Sequence, residues 1–146
     1  MYIAVDFDGT IVEHRYPRIG KEIPFAIATL RRLQKEGHKI VLWSVREGAL
    51  LQEAVDWCKE HGLEVYAANK EYPEEDPATA RHYTRKLKAE VFIDDRNLGG
   101  LPTVGGRPDW GAIYEMITKR ISAEQFYQQD EDDDHSTKKK KGWWPF

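Results

Sequence analysis

Short apolar strands alternating with amphipathic helices predict an α/β fold built on a parallel sheet, and three observations carry that expectation. Four brief runs, at residues 2–5, 38–43, 63–68 and 91–93, are apolar and rich in β-branched residues, as buried parallel strands are. Segments with apolar residues at helical spacing separate or follow them. Glycine closes two of the helical segments, and polar residues stand directly after the strands.

The first run, Tyr2-Ile3-Ala4-Val5, ends at Asp6-Phe7-Asp8-Gly9-Thr10, where the chain must turn. Residues 24–36 place Ile27, Leu30 and Leu33 on one face of a helix, and Gly37 stops it. Residues 38–43 form a second strand around Ile40, Val41 and Leu42, with Ser44 at its carboxyl end. Residues 49–61 form a second helix with Leu50, Ala54, Trp57 and Cys58 inward and Gly62 as its stop. A third strand is expected over residues 63–68, an acidic loop bounded by prolines over 73–77, and a helix over 78–88. Val91-Phe92-Ile93 is a fourth strand ending at Asp94-Asp95. Residues 99–108, rich in glycine and proline, read as loop, and residues 110–121 as a last helix. Right-handed βαβ units of this kind lead to a three-layer Rossmann-like parallel sheet with helices on both faces.

At 146 residues the chain has room for one domain of ordinary size, expected over residues 1–121. Beyond it an acidic block (residues 130–134) and a basic block (138–141) repel within themselves and resist packing, so residues 122–146 read as a flexible C-terminal tail. The tail ends Trp143-Trp144-Pro145-Phe146, and lysines followed by interfacial aromatics could touch an anionic membrane, although the acidic block opposes that. The formal charge of −3 gives no general attraction to nucleic acid. One cysteine, Cys58, excludes an intrachain disulfide and suits a reducing cytoplasm. No apolar stretch is long enough to span a bilayer, and the N-terminal run lacks the pattern of a signal peptide.

In parallel α/β sheets ligands bind at the carboxyl ends of the strands. Three of these ends carry polar groups here: Asp6 and Asp8, Ser44, and Asp94 with Asp95. Carboxylates gathered around one crevice repel one another unless a cation neutralises them, and hard oxygen ligands suit Mg²⁺.

Asp6-Phe7-Asp8-Gly9-Thr10 after a buried strand resembles the first motif of the haloacid dehalogenase-like phosphohydrolases. Ser44 resembles their second motif, and Asp94-Asp95 their acidic fourth motif. The resemblance runs through residues 1–121 in order and direction. It implies a phosphatase that hydrolyses a phosphomonoester through an aspartyl-phosphate on Asp6. Asp8 would protonate the leaving oxygen and later activate water. Mg²⁺ would be held by Asp6, the backbone carbonyl of Asp8, and Asp94, with Asp95 close by. Ser44 would hydrogen-bond a phosphate oxygen, Gly9 would permit the sharp turn, and Thr10 would buttress the loop.

The same resemblance implies a lysine that shields phosphate charge. Lys86 is the first choice, because it precedes the Asp94 strand end as a lysine does in related phosphatases; there a proline follows it, and here Leu87 stands instead. Lys70 and Lys88 are the alternatives, and solvated surface lysines are the ordinary case. Only about a dozen residues separate Thr10 from the first helix, and the segment after the third strand is short too, so no cap domain is expected. An open site accepts larger phosphorylated molecules as well as small ones, or is closed by another copy of the chain. Arg46 is the best-placed substrate contact, since arginine matches phosphate geometry and shares a strand end with Ser44; His14, Arg15 and Arg18 are further candidates. The competing reading is a non-catalytic module of the same fold that binds a phosphorylated ligand or a protein partner. Retention of both Asp6 and Asp8 favours catalysis.

Overall fold

The computed structural model describes residues 1–82 and 84–119. Its centre is a parallel sheet of four strands, β1 (Tyr2–Val5), β2 (Lys39–Leu42), β3 (Ala67–Ala68) and β4 (Val91–Ile93), in the order β3-β2-β1-β4. Ile3 pairs with Ile40 on one side and with Val91 on the other; Val5 pairs with Leu42 and Ile93. The third strand is shorter than residues 63–68, because only Ala67 and Ala68 reach Val41 and Leu42.

Helix α1 (Ala26–Lys35) follows β1, α2 (Gly48–Glu60) follows β2, and α3 (Trp110–Thr118) follows β4. The Glu22 carboxylate accepts from the Ile27 N–H at 3.1 Å and satisfies a first-turn donor of α1, whose N-cap residue Phe25 supplies none. Beyond each of the first two helices a glycine adopts positive φ, Gly37 at 95° and Gly62 at 87°, and the chain turns into the next segment. Asp109 caps α3 by accepting from the Ala112 N–H at 3.1 Å.

The three helices among the described residues share one apolar cluster with the Ile3/Val5 face of the sheet. Ile27 and Leu30 come from α1, Ala54 and Cys58 from α2, Trp110 and Ile113 from α3. The opposite face, with Ala4, Val41 and Ala67, packs against Leu87 and Ala89. The helix expected over residues 78–88 is not seen among the described residues, which here form a succession of turns and bends. Arg81, Arg85, Lys86 and Lys88 repel along it, and Leu87 is its lone large aliphatic residue. Without an apolar stripe, a short helix has no packing to offset its nucleation cost. Among the described residues the helices therefore lie on one face, and irregular chain covers the other. Crossover handedness accounts for this. The β1→β2 and β2→β3 connections step one way across the sheet; the β3→β4 connection steps back and passes over the opposite face.

Residues 99–108 are not all loop. They contain a hairpin of β5 (Thr103–Val104) and β6 (Arg107–Pro108), turned by Gly105 and Gly106 at φ 58° and 74°. Two successive positive-φ residues give the primed turn that matches strand twist. Residue 121, where the last helix was expected to end, and the tail over residues 122–146 lie outside the described residues. No helix among the described residues is long and apolar enough to cross a membrane.

Candidate active site

The strand order reverses direction between β1 and β4. The chain leaves β1 for β2 on one side and returns to β4 on the other, and such a switch point opens a crevice at the carboxyl ends. The Asp6 N–H donates to the Ile93 carbonyl at 2.9 Å, so β1–β4 pairing continues to the residue that carries the first carboxylate. Asp94 begins directly after β4. Carboxylate oxygens of Asp6, Asp94 and Asp95 lie within 4.8 Å of one another.

Thr10 ties this cluster together. Its hydroxyl has Asp6 Oδ2 at 3.0 Å and Asp95 Oδ1 at 3.4 Å as acceptors, and it accepts from the Asp95 N–H at 3.2 Å. The buried Trp110 indole donates to the Thr10 carbonyl at 3.0 Å and pins the loop to α3. Gly9 stands at φ 87°, and a Cβ there would lie 2.5 Å from Asp95 Oδ2. The Asp95 carboxylate can thus lie against the loop backbone only because position 9 has no side chain.

Asp6 is held far from its ordinary ionisation. Burial, the negative charge of Asp94 and a hydrogen bond with Asp95 push its pKa up to about 8, against the lowering bond from Thr10. Folding without a cation therefore takes up a proton at Asp6 between its unfolded value of 3.8 and about 8. Since the folded state binds more protons there, stability falls as pH rises through that window. We expect metal-free protein to lose roughly 2–5 kcal/mol of unfolding free energy between pH 4 and pH 8 from this group. Denaturant melts at several pH values, compared with Asp6→Asn, measure it; equal pH dependence in the two proteins would refute it.

Asp8 and Arg46 form a second, separate unit. Arg46 is fully buried, and its Nε and a terminal nitrogen each donate to one Asp8 oxygen at 2.8 Å. Its remaining donors reach the carbonyls of Pro17 at 3.1 Å, Arg18 at 3.1 Å and Leu50 at 3.4 Å. The guanidinium lies between the rings of Phe7 and Tyr16, with 5.3 Å from its carbon to each centroid. The hydrogen bonds to Asp8 raise its already high pKa. The expectation that Arg46 contacts phosphate is corrected by this geometry: all five N–H donors are engaged inside the protein. The Asp8 side chain likewise faces Arg46 and is not among the three clustered carboxylates, which leaves its backbone carbonyl as the metal contact the resemblance implied.

Ser44 follows β2, and its hydroxyl accepts from the Arg46 N–H at 3.1 Å. The turn around it is held by Asn69, a residue the sequence reading passed over. The Asn69 amide accepts from the Ser44 N–H at 2.8 Å and donates to the carbonyls of Ser44 at 2.9 Å and Arg46 at 3.1 Å. Its φ of 55° is the left-handed conformation that asparagine tolerates best among residues with a side chain. An asparagine immediately after an apolar strand was the available signal.

The lysines stand apart from these contacts. Lys86 is exposed, its ammonium 5.7 Å from the centroid of the Phe92 ring, and Lys88 is exposed with its backbone N–H bound to Glu71. Lys70 is half-buried and follows Asn69 directly. His14, Arg15 and Arg18 are exposed on the loop that Arg46 grips through the carbonyls of Pro17 and Arg18.

No protein-family profile matches the chain. A Bacillus cereus protein named "putative nucleotidase" is 29% identical over 85 residues, which is 58% of this chain and 44% of that protein, so the chain spans less than half of that relative's length. A solved structure, that of a conserved protein from Bacteroides thetaiotaomicron, matches at 61% identity with a TM-score of 0.77, over 87% of this chain and 97% of that one. Identity at that level across nearly the whole of the solved chain places this protein in the family of the conserved Bacteroides thetaiotaomicron protein.

Proposed function

We propose that the chain is a capless haloacid dehalogenase-like phosphatase that hydrolyses phosphomonoesters. The observation that carries this reading is the gathering of Asp6, Asp94 and Asp95 within 4.8 Å at adjacent strand ends of the switch point. A carboxylate raised to a pKa of about 8 by burial and by its neighbours marks a site that lacks a positive charge. An all-oxygen donor set at this spacing fits Mg²⁺. Asp6 and Asp94, with the Asp8 carbonyl and Asp95 beside them, would hold it, and bound there it would neutralise the carboxylates enough for a phosphate dianion to approach. The name of the Bacillus cereus relative supports a phosphate ester as the substrate class.

In the reaction, an Asp6 oxygen forms a bond to phosphorus as the ester oxygen leaves with a proton from Asp8. Water then attacks the phosphorus of the aspartyl-phosphate and gives its proton to Asp8, which frees inorganic phosphate and restores Asp6. Two displacements replace one difficult one. Arg46 fixes the orientation of Asp8 through two bonds of 2.8 Å and leaves each carboxylate oxygen a further lone pair for the proton. Asn69 holds the Ser44 turn, and Ser44 would hydrogen-bond a phosphate oxygen. Lys70, half-buried beside Asn69, competes with Lys86 for the charge-shielding role.

Release of inorganic phosphate from an aryl phosphate tests the function. Activity should require Mg²⁺ and stop on addition of a chelator. Mg²⁺ should also raise the melting temperature of the wild type and leave that of Asp94→Asn nearly unchanged. Phosphate release that persists in chelator, or an equal Mg²⁺-induced shift in both proteins, would overturn the assignment.

A further inference from the structure

We propose that the loop of residues 13–20 is the substrate-recognition surface and that it takes a terminal nucleotide phosphate, stacked on Tyr16. This deepens the phosphatase reading and rests on it. The loop is not loosely attached. Arg46, buried beside Asp8, donates to the carbonyls of Pro17 and Arg18, so loop and proton-handling carboxylate are positioned by one side chain. The Tyr16 ring centroid lies 5.3 Å from the carbon of that guanidinium, and 45% of the residue is exposed.

A tyrosine in this position presents an aromatic surface one guanidinium away from Asp8. Val45, 78% exposed between Ser44 and Arg46, presents apolar surface at the carboxyl end of β2. A small acyclic leaving group such as glycerol has no flat face to lay against the ring. A planar base would stack on the ring, a contact that tolerates any base. Arg15 and Arg18, exposed on the same loop, add positive charge for further phosphates, whether on a free nucleotide or along a strand, and His14 is exposed beside them.

The test compares kcat/KM for a nucleoside monophosphate, a short single-stranded oligonucleotide with a terminal phosphate, and glycerol phosphate. The wild type should prefer a nucleotide substrate over glycerol phosphate. Tyr16→Ala should reduce that preference about tenfold, as loss of one base–aromatic contact does, whereas Tyr16→Phe should keep it. Val45→Ser, a change at an exposed position, should reduce it in the same direction. Preference for the oligonucleotide, with a steep loss on adding salt, identifies a strand end as the source; preference for the mononucleotide identifies the free nucleotide. Equal losses on all three substrates in Tyr16→Ala would make Tyr16 a cover for Arg46 and overturn the proposal. So would a wild type that releases phosphate without nucleotide preference. Calorimetric titration with the nucleoside monophosphate separates the two levels. Saturable binding, weakened in Tyr16→Ala but without phosphate release, keeps the recognition surface and overturns hydrolysis. Neither binding nor release overturns both.

Discussion

Asp6→Asn should lower Mg²⁺-dependent phosphate release by about 10⁴-fold or more while the protein stays folded, as loss of a catalytic nucleophile does. An amide is nearly isosteric with a carboxylate and can still accept the Thr10 hydroxyl at Asp6 Oδ2, 3.0 Å away in the wild type. It cannot displace an alkoxide from phosphorus. The substitution also relieves the cluster, because burial and the charge of Asp94 act against an ionised group at this position. Metal-free Asp6→Asn should therefore melt higher than metal-free wild type at pH 8, with the difference shrinking towards pH 4 as the wild-type carboxyl is protonated. Opposite signs for activity and stability distinguish a nucleophile in a charge-crowded site from a merely structural aspartate. Phosphate release near the wild-type rate would remove Asp6 from the chemistry. Lost activity with lower stability at every pH would point to simple disruption.

Much of this site was legible because parallel sheets place function at strand ends. A buried run followed by Asp6-Phe7-Asp8-Gly9-Thr10, and another followed by Asp94-Asp95, sufficed to expect the two aspartate pairs in one crevice. The register Val5 to Ile93 is what brings Asp6 and Asp94 together. What pattern could not show was pairing across large sequence separation. Asp8 and Arg46, 38 residues apart, were each visible as a polar residue at a strand end. Whether Arg46 would face a substrate or a carboxylate depends on burial, which composition does not encode. Asn69 was missed because its function is to hold backbone, and its marker is a positive φ. The stretch 78–88 misled for a different reason. Its residues are individually acceptable in a helix, but they lack an apolar face, and Leu87 and Ala89 cover the sheet from irregular chain instead.

The second large effect is on stability. Arg46→Ala should destabilise the protein by about 3–5 kcal/mol, the range for breaking a buried ion pair from one side. Asp8 is 8% exposed and would keep a carboxylate without its cation. The carbonyls of Pro17, Arg18 and Leu50 would lose their donors at the same time. For a domain of this size the melting temperature should fall by roughly 10–20 °C. Arg46→Lys should recover only part of this, because an ammonium retains the charge but not the planar fork that reaches both Asp8 oxygens. The double variant Asp8→Asn/Arg46→Met removes both charges and should be more stable than the sum of the single losses predicts, by about 2 kcal/mol or more. Denaturant melts of the four proteins in the cycle measure that coupling. Additive losses would mean that the two 2.8 Å bonds contribute little and that Arg46 acts chiefly by filling space between Phe7 and Tyr16. A strong coupling would show that Asp8 and Arg46 act as one unit, held by the same guanidinium that donates to the carbonyls of Pro17 and Arg18 in the 13–20 loop.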